Sequence, residues 1–182
     1  MFPASGRCSV VFRHNPEAVK LVINWKDRGQ RELTNLFAAV VADSLKSEDL
    51  SNFVLAPIPE RSASFKKRGW RPVAQLAERL GAITHLPVDE HAFRFKVQPS
   101  EQRGLSTNLR YDNLAEVFQY ESEAPKLLII DDVFTTGATL LSALRAASES
   151  KKIQTNDVKV LALVASRKDY ERRIGSFFEI ET

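Results

Sequence analysis

Two adjacent carboxylates, Asp131 and Asp132, stand just before a hydroxyl-rich turn, Thr135-Thr136-Gly137-Ala138-Thr139. Carboxylates cannot hold a phosphate, but they accept hydrogen bonds from sugar hydroxyls and sit well near a Mg²⁺. The turn offers the complement. Gly137 lets the backbone approach an anion closely. Thr135, Thr136 and Thr139 bring hydroxyl donors. A helix starting behind the turn would add unpaired N–H groups and a partial positive charge. Acids beside a phosphate cradle point to a phosphorylated sugar. The plain alternative is a βα unit whose acids merely end a strand. Two acids and three threonines around a glycine are more than such a unit requires.

Positioning this constellation takes a strand in front and a helix behind, and both are readable. Leu127-Leu128-Ile129-Ile130 is a continuous apolar run that suits a strand buried on both faces. Leu140, Leu141, Leu144 and Ala147 recur at helical spacing. The acids then lie at the carboxyl end of a strand, where open α/β sheets bind ligands. A second short strand, Phe53 to Pro59, ends in prolines that remove backbone donors and stiffen the chain. Arg61, Lys66, Lys67, Arg68 and Arg71 follow it, with Glu60 the only acid nearby. Such a patch could neutralise a pyrophosphate, follow a nucleic-acid backbone, or be a solvated loop. Its place after a strand end favours the ligand crevice.

The remaining elements are predicted from capping and periodicity. Asn15-Pro16-Glu17 starts a helix with Val19, Val22, Ile23 and Lys26 on one face, and Asp27-Arg28-Gly29 turns the chain. Leu33, Leu36, Phe37, Val40 and Val41 mark a second helix. A helix through Val73, Leu76, Ala77 and Leu80 is expected to close at Gly81 as C-terminal cap. Val88 to Lys96 reads as a hairpin or edge. The polar stretch from Arg94 to Ser106 is too long for a simple connection and reads as a lid, with Ser106 capping a short helix to about Asn113. Asp157 to Val164 and Gly175 to Ile180 are the last strands. Strands alternating with helices give an α/β fold with a mainly parallel sheet flanked by helices.

At 182 residues the chain is expected to be a single domain, 1–182, with an N-terminal helical part, 1–50, set against an α/β core, 51–182. Lys+Arg 26 against Asp+Glu 23 gives +3, too mild to imply nucleic-acid binding without a local patch. No apolar run approaches membrane-spanning length, so no membrane partner is expected. Met1 to Gly6 lacks the layout of a signal peptide, and Cys8 is the only cysteine, which leaves no disulfide framework and no zinc cluster. A cytoplasmic location follows as the expectation. Neither G-x-x-x-x-G-K-[ST] nor G-x-G-x-x-G occurs, which argues against a P-loop hydrolase and a dinucleotide dehydrogenase.

The stretch from Leu127 to Thr139 resembles the phosphoribosyl-diphosphate (PRPP) motif of type I phosphoribosyltransferases. The resemblance implies that Asp131 and Asp132 hold the ribose hydroxyls, with Mg²⁺ near them through ribose or water. It implies that Thr135, Thr136, Gly137, Ala138 and Thr139 cradle the 5′-phosphate. Four stretches together resemble the ComF-type (competence protein F) members: Leu21 to Gly29; Pro57-Ile58-Pro59 with Arg68-Gly69-Trp70; Arg94, Gln102, Gly104-Leu105-Ser106, Arg110, Asn113 and Phe118; and the PRPP motif. The resemblance implies that Pro57, Pro59, Arg61, Lys67 and Arg68 receive pyrophosphate. It places Arg94, Gln102 and Arg110 on a flexible catalytic loop in a hood region. It also implies PRPP with Mg²⁺ as ligand and a nitrogen acceptor, a nucleobase or an amine, with a homodimer as a further expectation. The alternative is a catalytically silent PRPP-binding protein or an accessory of the DNA-uptake machinery that contacts single-stranded DNA. The sequence departs from the family in three places: the N-terminal cysteine cluster is absent, Arg71-Pro72 stands where Asn-Gln is usual, and Leu109 stands where an acid is common.

Overall fold

Val, Ile and Leu dominate Leu127 to Ile130, just before the acidic pair, and Val158 to Val164, and such residues favour a pleated layer buried from both sides. The computed structural model describes residues 6–12, 16–96, 117–134, 137–154, 157–165 and 178–181. Its elements are β1 (Gly6–Phe12), α1 (Pro16–Arg28), α2 (Leu33–Ser44), β2 (Phe53–Pro57), α3 (Ser62–Arg68), α4 (Pro72–Thr84), β3 (Phe93–Phe95), β4 (Phe118–Tyr120), β5 (Lys126–Phe134), α5 (Ala138–Glu149), β6 (Val158–Ala165) and β7 (Phe178–Glu181). The main sheet runs in the order β2-β5-β6-β1-β7, and every pairing in it is parallel. β3 and β4 form a separate antiparallel pair. The fold is α/β with a mainly parallel sheet between helices, as the sequence predicts.

Two apolar layers cover the sheet. Leu127, Ile129, Val160 and Ala162 pack with α5 and the β3–β4 pair. Leu128, Ile130, Leu161 and Leu163 pack with α1, α2 and α4 through Trp25, Phe37, Leu76 and Leu80. Helices α1 and α2 therefore build one wall of the core. Residues 6–12, inside the part read as helical, form a strand between β6 and β7. Cys8-Ser9-Val10 has little apolar alternation of its own; its strand state comes from long-range pairing with Val160 to Ala162.

Helix faces differ from the predicted ones in detail. The buried stripe of α1 is Ala18, Val22 and Trp25, while Ile23 is 44% exposed. In α2 it is Thr34, Phe37, Ala38 and Val41, and Leu36 is 48% exposed. The reason is Trp25. Its ring packs edge-on against Phe37 and Trp70, with centroids 5.2 and 5.9 Å away, and its Nε1–H donates to Thr34 Oγ1 at 2.9 Å. That contact rotates both helices onto the faces they bury.

The basic segment after β2 is a short helix, α3, rather than a loop. It closes on Gly69, whose φ of 71° is the left-handed cap and whose N–H donates to Phe65 O at 2.7 Å. Gly81 is not a cap: α4 runs on to Thr84, and His85 takes the left-handed position. Gly81 is needed for close packing instead, since a Cβ there would lie 2.7 Å from Val88 Cγ2 and 2.8 Å from Leu86 O. The expected hairpin or edge at Val88 to Lys96 becomes a parallel bridge from Val88 to Leu55 and strand β3. The predicted helix from Ser106 to Asn113 lies outside the described residues.

Candidate functional site

Parallel pairing of β2 with β5, in register from Phe53–Lys126 to Pro57–Ile130, sets the end of β2 one residue before the acidic pair, which lies within β5 and not at its end, since β5 runs on to Phe134 against β6. Ile58 continues the pairing, donating its N–H to Ile130 O at 2.9 Å. The proline-rich turn after β2 and the acidic pair of β5 are thereby brought to the same place. They line one cleft of about 690 Å³ with Pro57, Pro59, Glu60, Arg61, Arg68, Arg71, Arg94, Asp131, Asp132 and Lys26 on its walls.

The strand alters its side-chain phase at the acids. Leu127 and Ile129 face the α5 layer and Leu128 and Ile130 the opposite one, but beyond the pair Val133 joins the α1/α2/α4 layer and Phe134 the α5 layer. Asp132 N–H donates to Asp131 Oδ1 at 2.8 Å. The Asp131 carboxyl is pushed up to about 8, first by burial and then by the charge of Asp132. The Asp132 N–H and the nearby Lys26 ammonium oppose that shift. Lys26, from the last turn of α1, forms an ion pair with Asp132 Oδ2. Among the described residues, and apart from that ion pair, Asp132 Oδ2 is buried without a hydrogen bond of regular geometry.

Across the cleft, Glu60 Oε1 accepts from Arg68 Nη2 at 2.7 Å, and Arg68 Nη1 stands 3.9 Å from Asp27 Oδ1. Burial raises the Glu60 pKa, with Arg68 and Lys26 opposing. Arg68 is therefore held by acids and is less available to an incoming anion than the charge run suggests. Lys67 is exposed and is not part of the cleft wall; its neighbour Lys66 is. The helical turn of α3 decides this, because successive residues on a helix point about 100° apart. Arg71 takes part in the cleft and stacks over the exposed Phe65 ring, 5.1 Å from its centroid, while Pro72 opens α4.

At the predicted phosphate turn, Gly137 has a φ of 70° and sits at the N-terminal cap of α5, accepting at its carbonyl from Leu141 N–H at 2.8 Å. A Cβ on Gly137 would lie 2.9 Å from Phe134 Cζ. Gly137→Ala is accordingly expected to cost about 1–2 kcal/mol for the left-handed backbone alone, a fall in Tm of roughly 2–8 °C. An unchanged thermal denaturation midpoint would show that the turn relaxes freely. Ala138 opens α5 behind the glycine. Thr139 lines a small cavity of about 70 Å³ shared with Ile58, Pro59 and Arg61, so the head of α5 adjoins the cleft. Thr135 and Thr136 lie outside the described residues, as do Gln102 and Arg110. Arg94, on β3, lines the far wall and pairs through Nε with Glu121 Oε2 at 2.8 Å.

Lys26 is the site residue that sequence reasoning missed. Its signal was a lone lysine on the apolar face of a helix, readable only as a position that must lead the charge somewhere polar.

No family model matches the chain. Among curated proteins it is 27% identical over 143 residues to competence protein ComFC of Bacillus subtilis (strain 168), covering 78% of this chain and 58% of that protein. It is 27% identical over 160 residues to competence protein ComFC of Streptococcus pneumoniae (strain ATCC BAA-255 / R6), covering 85% of this chain and 66% of that protein. The chain thus spans 58–66% of the length of these curated relatives. Among solved structures it is similar to an orotate phosphoribosyltransferase from Aeropyrum pernix, at 16% identity and a TM-score of 0.44, covering 84% of this chain and 71% of that one. It is likewise similar to an alanine mutant made to analyse an invariant aspartic acid in HPRTs, at 17% identity and a TM-score of 0.45, covering 84% and 76%.

Proposed function

We infer that this chain, a ComF-type protein with a phosphoribosyltransferase-like fold, binds PRPP in the cleft lined by the turn after β2 and the acidic pair of β5. The observation that carries the reading is the convergence of the Asp131–Asp132 pair, the Pro57 to Arg61 turn and the Gly137-capped head of α5 in one neighbourhood. Asp131 and Asp132 would accept the ribose hydroxyls. The turn through Gly137 and Thr139 would take the 5′-phosphate at the helix N-terminus. The diphosphate would face Arg61, Lys66 and Arg71. Among the described residues no group of three or more His, Cys, Asp or Glu side chains is arranged to hold a metal ion. Two carboxylates fit a Mg²⁺ that arrives on the ligand's phosphates, which is how this ion is commonly bound. Its chemistry would be to neutralise charge on the leaving diphosphate. In the transferase reading, the acids also support the positive charge that grows on the ribose ring as the C1–O bond breaks, and a nitrogen acceptor attacks C1.

Calorimetric titration with PRPP and Mg²⁺ tests the reading. Measured at about pH 9, above the Asp131 transition near 8, Asp131→Asn and Asp132→Asn are each expected to weaken binding about 10–100-fold, the worth of hydrogen bonds to a charged group. No heat from the unaltered protein at millimolar PRPP would sink it. Pyrophosphate release with a panel of bases and amines then separates a transferase from a silent PRPP-binding protein.

A second reading has its own observation. On α3, Phe65, Lys66 and Lys67 are exposed together, with Arg71 over the Phe65 ring. An exposed aromatic amid cations is a stacking platform of the kind that binds single strands. It accords with a role in DNA uptake, as the name of the ComFC relatives suggests.

Among the described residues no helix is long and apolar enough to cross a membrane.

A further inference from the structure

Helix α1 delivers a cation into the acidic end of the cleft. Trp25 is fully buried between Phe37 and Trp70 and tied to Thr34, so the helix is pinned one residue before Lys26. The Lys26 side chain, 29% exposed, emerges at the cleft wall and pairs with Asp132, whose own side chain is only 5% exposed. Its charge is also felt by Glu60, within the proposed diphosphate turn, and by Asp131. Lys26 therefore shares one cleft wall with the segment that would take the diphosphate and the acids that would take the sugar. A buried carboxylate needs a counter-charge while the cleft is empty. A sugar diphosphate brings hydroxyl donors for the acids and a stronger anion for the ammonium. Lysine suits the exchange: its charge sits on a flexible four-carbon stem with three rotatable donors.

We propose that Lys26 is a binding residue that changes partner: it neutralises Asp132 in the empty cleft, turns to the diphosphate oxygens of an entering ligand, and so leaves Asp132 to the sugar hydroxyls. The inference rests on the PRPP reading above. It makes α1 a contributor to ligand recognition as well as a wall of the core.

The test is calorimetry in Mg²⁺ with PRPP, inorganic pyrophosphate and ribose 5-phosphate as separate probes. The proteins are the unaltered chain, Lys26→Met, Lys26→Gln and Lys26→Arg, each first checked for a cooperative thermal transition. The two neutral variants keep one misfolded protein from deciding the outcome. Both are expected to lose about 10–100-fold for PRPP and pyrophosphate while ribose 5-phosphate changes by less than about threefold, and Lys26→Arg is expected to recover most of the loss. An equal loss on all three probes would reduce Lys26 to a structural partner of Asp132. Unchanged or tighter PRPP binding in the neutral variants would make it a counter-ion that only competes with the ligand. Either result overturns the inference and leaves the PRPP reading standing. Failure of the unaltered chain to bind PRPP overturns both.

Discussion

Trp25→Ala is expected to remove about 3–5 kcal/mol of stability, the usual cost of emptying a buried aromatic site. For a chain of this size that is a fall in Tm of roughly 6–20 °C. The cost has three sources. The ring leaves a cavity between α1, α2 and the Gly69-Trp70 turn, where Phe37 and Trp70 lose an edge contact. Thr34 Oγ1 loses the donor it accepts from at 2.9 Å. Arg31, 5.2 Å over the Trp70 ring, loses the support that fixes that ring. Ile23→Ala, two residues away but exposed, is expected to stay within about 0.5 kcal/mol. Urea denaturation of both variants checks the contrast. A loss below about 1 kcal/mol at Trp25 would mean that the cavity collapses and that the aromatic cluster does not hold α1 in place.

The second large effect is on pH dependence, and it has opposite signs for stability and for binding. Asp131 titrates near 3.8 when unperturbed and at about 8 in the folded protein. Between those values the folded state holds a proton that the unfolded chain has released. Stability therefore falls as pH rises from about 4 to 8, with a limiting slope of about 1.4 kcal/mol per pH unit, and levels off above. Ligand affinity runs the other way: an ionised carboxylate accepts sugar hydroxyls more strongly, so PRPP binding is expected to tighten through the same window, by at most about tenfold per pH unit. Among the described residues, the charged groups facing Asp131 are Asp132 and Lys26, with Glu60 and Arg68 beyond them. Because other groups titrate too, the measured quantity is the difference between the unaltered protein and Asp131→Asn, in thermal denaturation and in calorimetry. A flat difference for stability from about pH 5 to 8 would place the proton elsewhere.

The legibility of this protein differs between its parts. The run Leu127 to Ile130 and its match at Val158 to Val164 announce buried parallel strands, because an unbroken apolar stretch of that length has few other uses. Gly137 announces a backbone in the left-handed region at a helix head. By contrast, β1 is almost invisible in the sequence, since Cys8-Ser9-Val10 becomes a strand only through partners some 150 residues away. The face of α1 departs from its periodicity at Ile23, because its orientation is set by how Trp25 fits against Phe37 and Trp70, a matter of shape that periodicity does not carry.

The amino-acid order alone determined the chemistry that is available: two carboxylates directly after an apolar run, a glycine-centred turn before a helix, and a proline-rich strand end followed by cations. These are local facts, set by neighbours within a few residues through steric and hydrogen-bonding preferences. The tertiary structure decided which of those groups meet. Pairing of β2 with β5 sets Pro57 to Arg61 beside Asp131 and Asp132. The Glu60–Arg68 pair removes one cation from the open set, and the docking of α1 turns Lys26 from a residue of a helix face into the counter-charge of Asp132. Convergence of this kind depends on packing between segments far apart in the chain, and no local pattern encodes it.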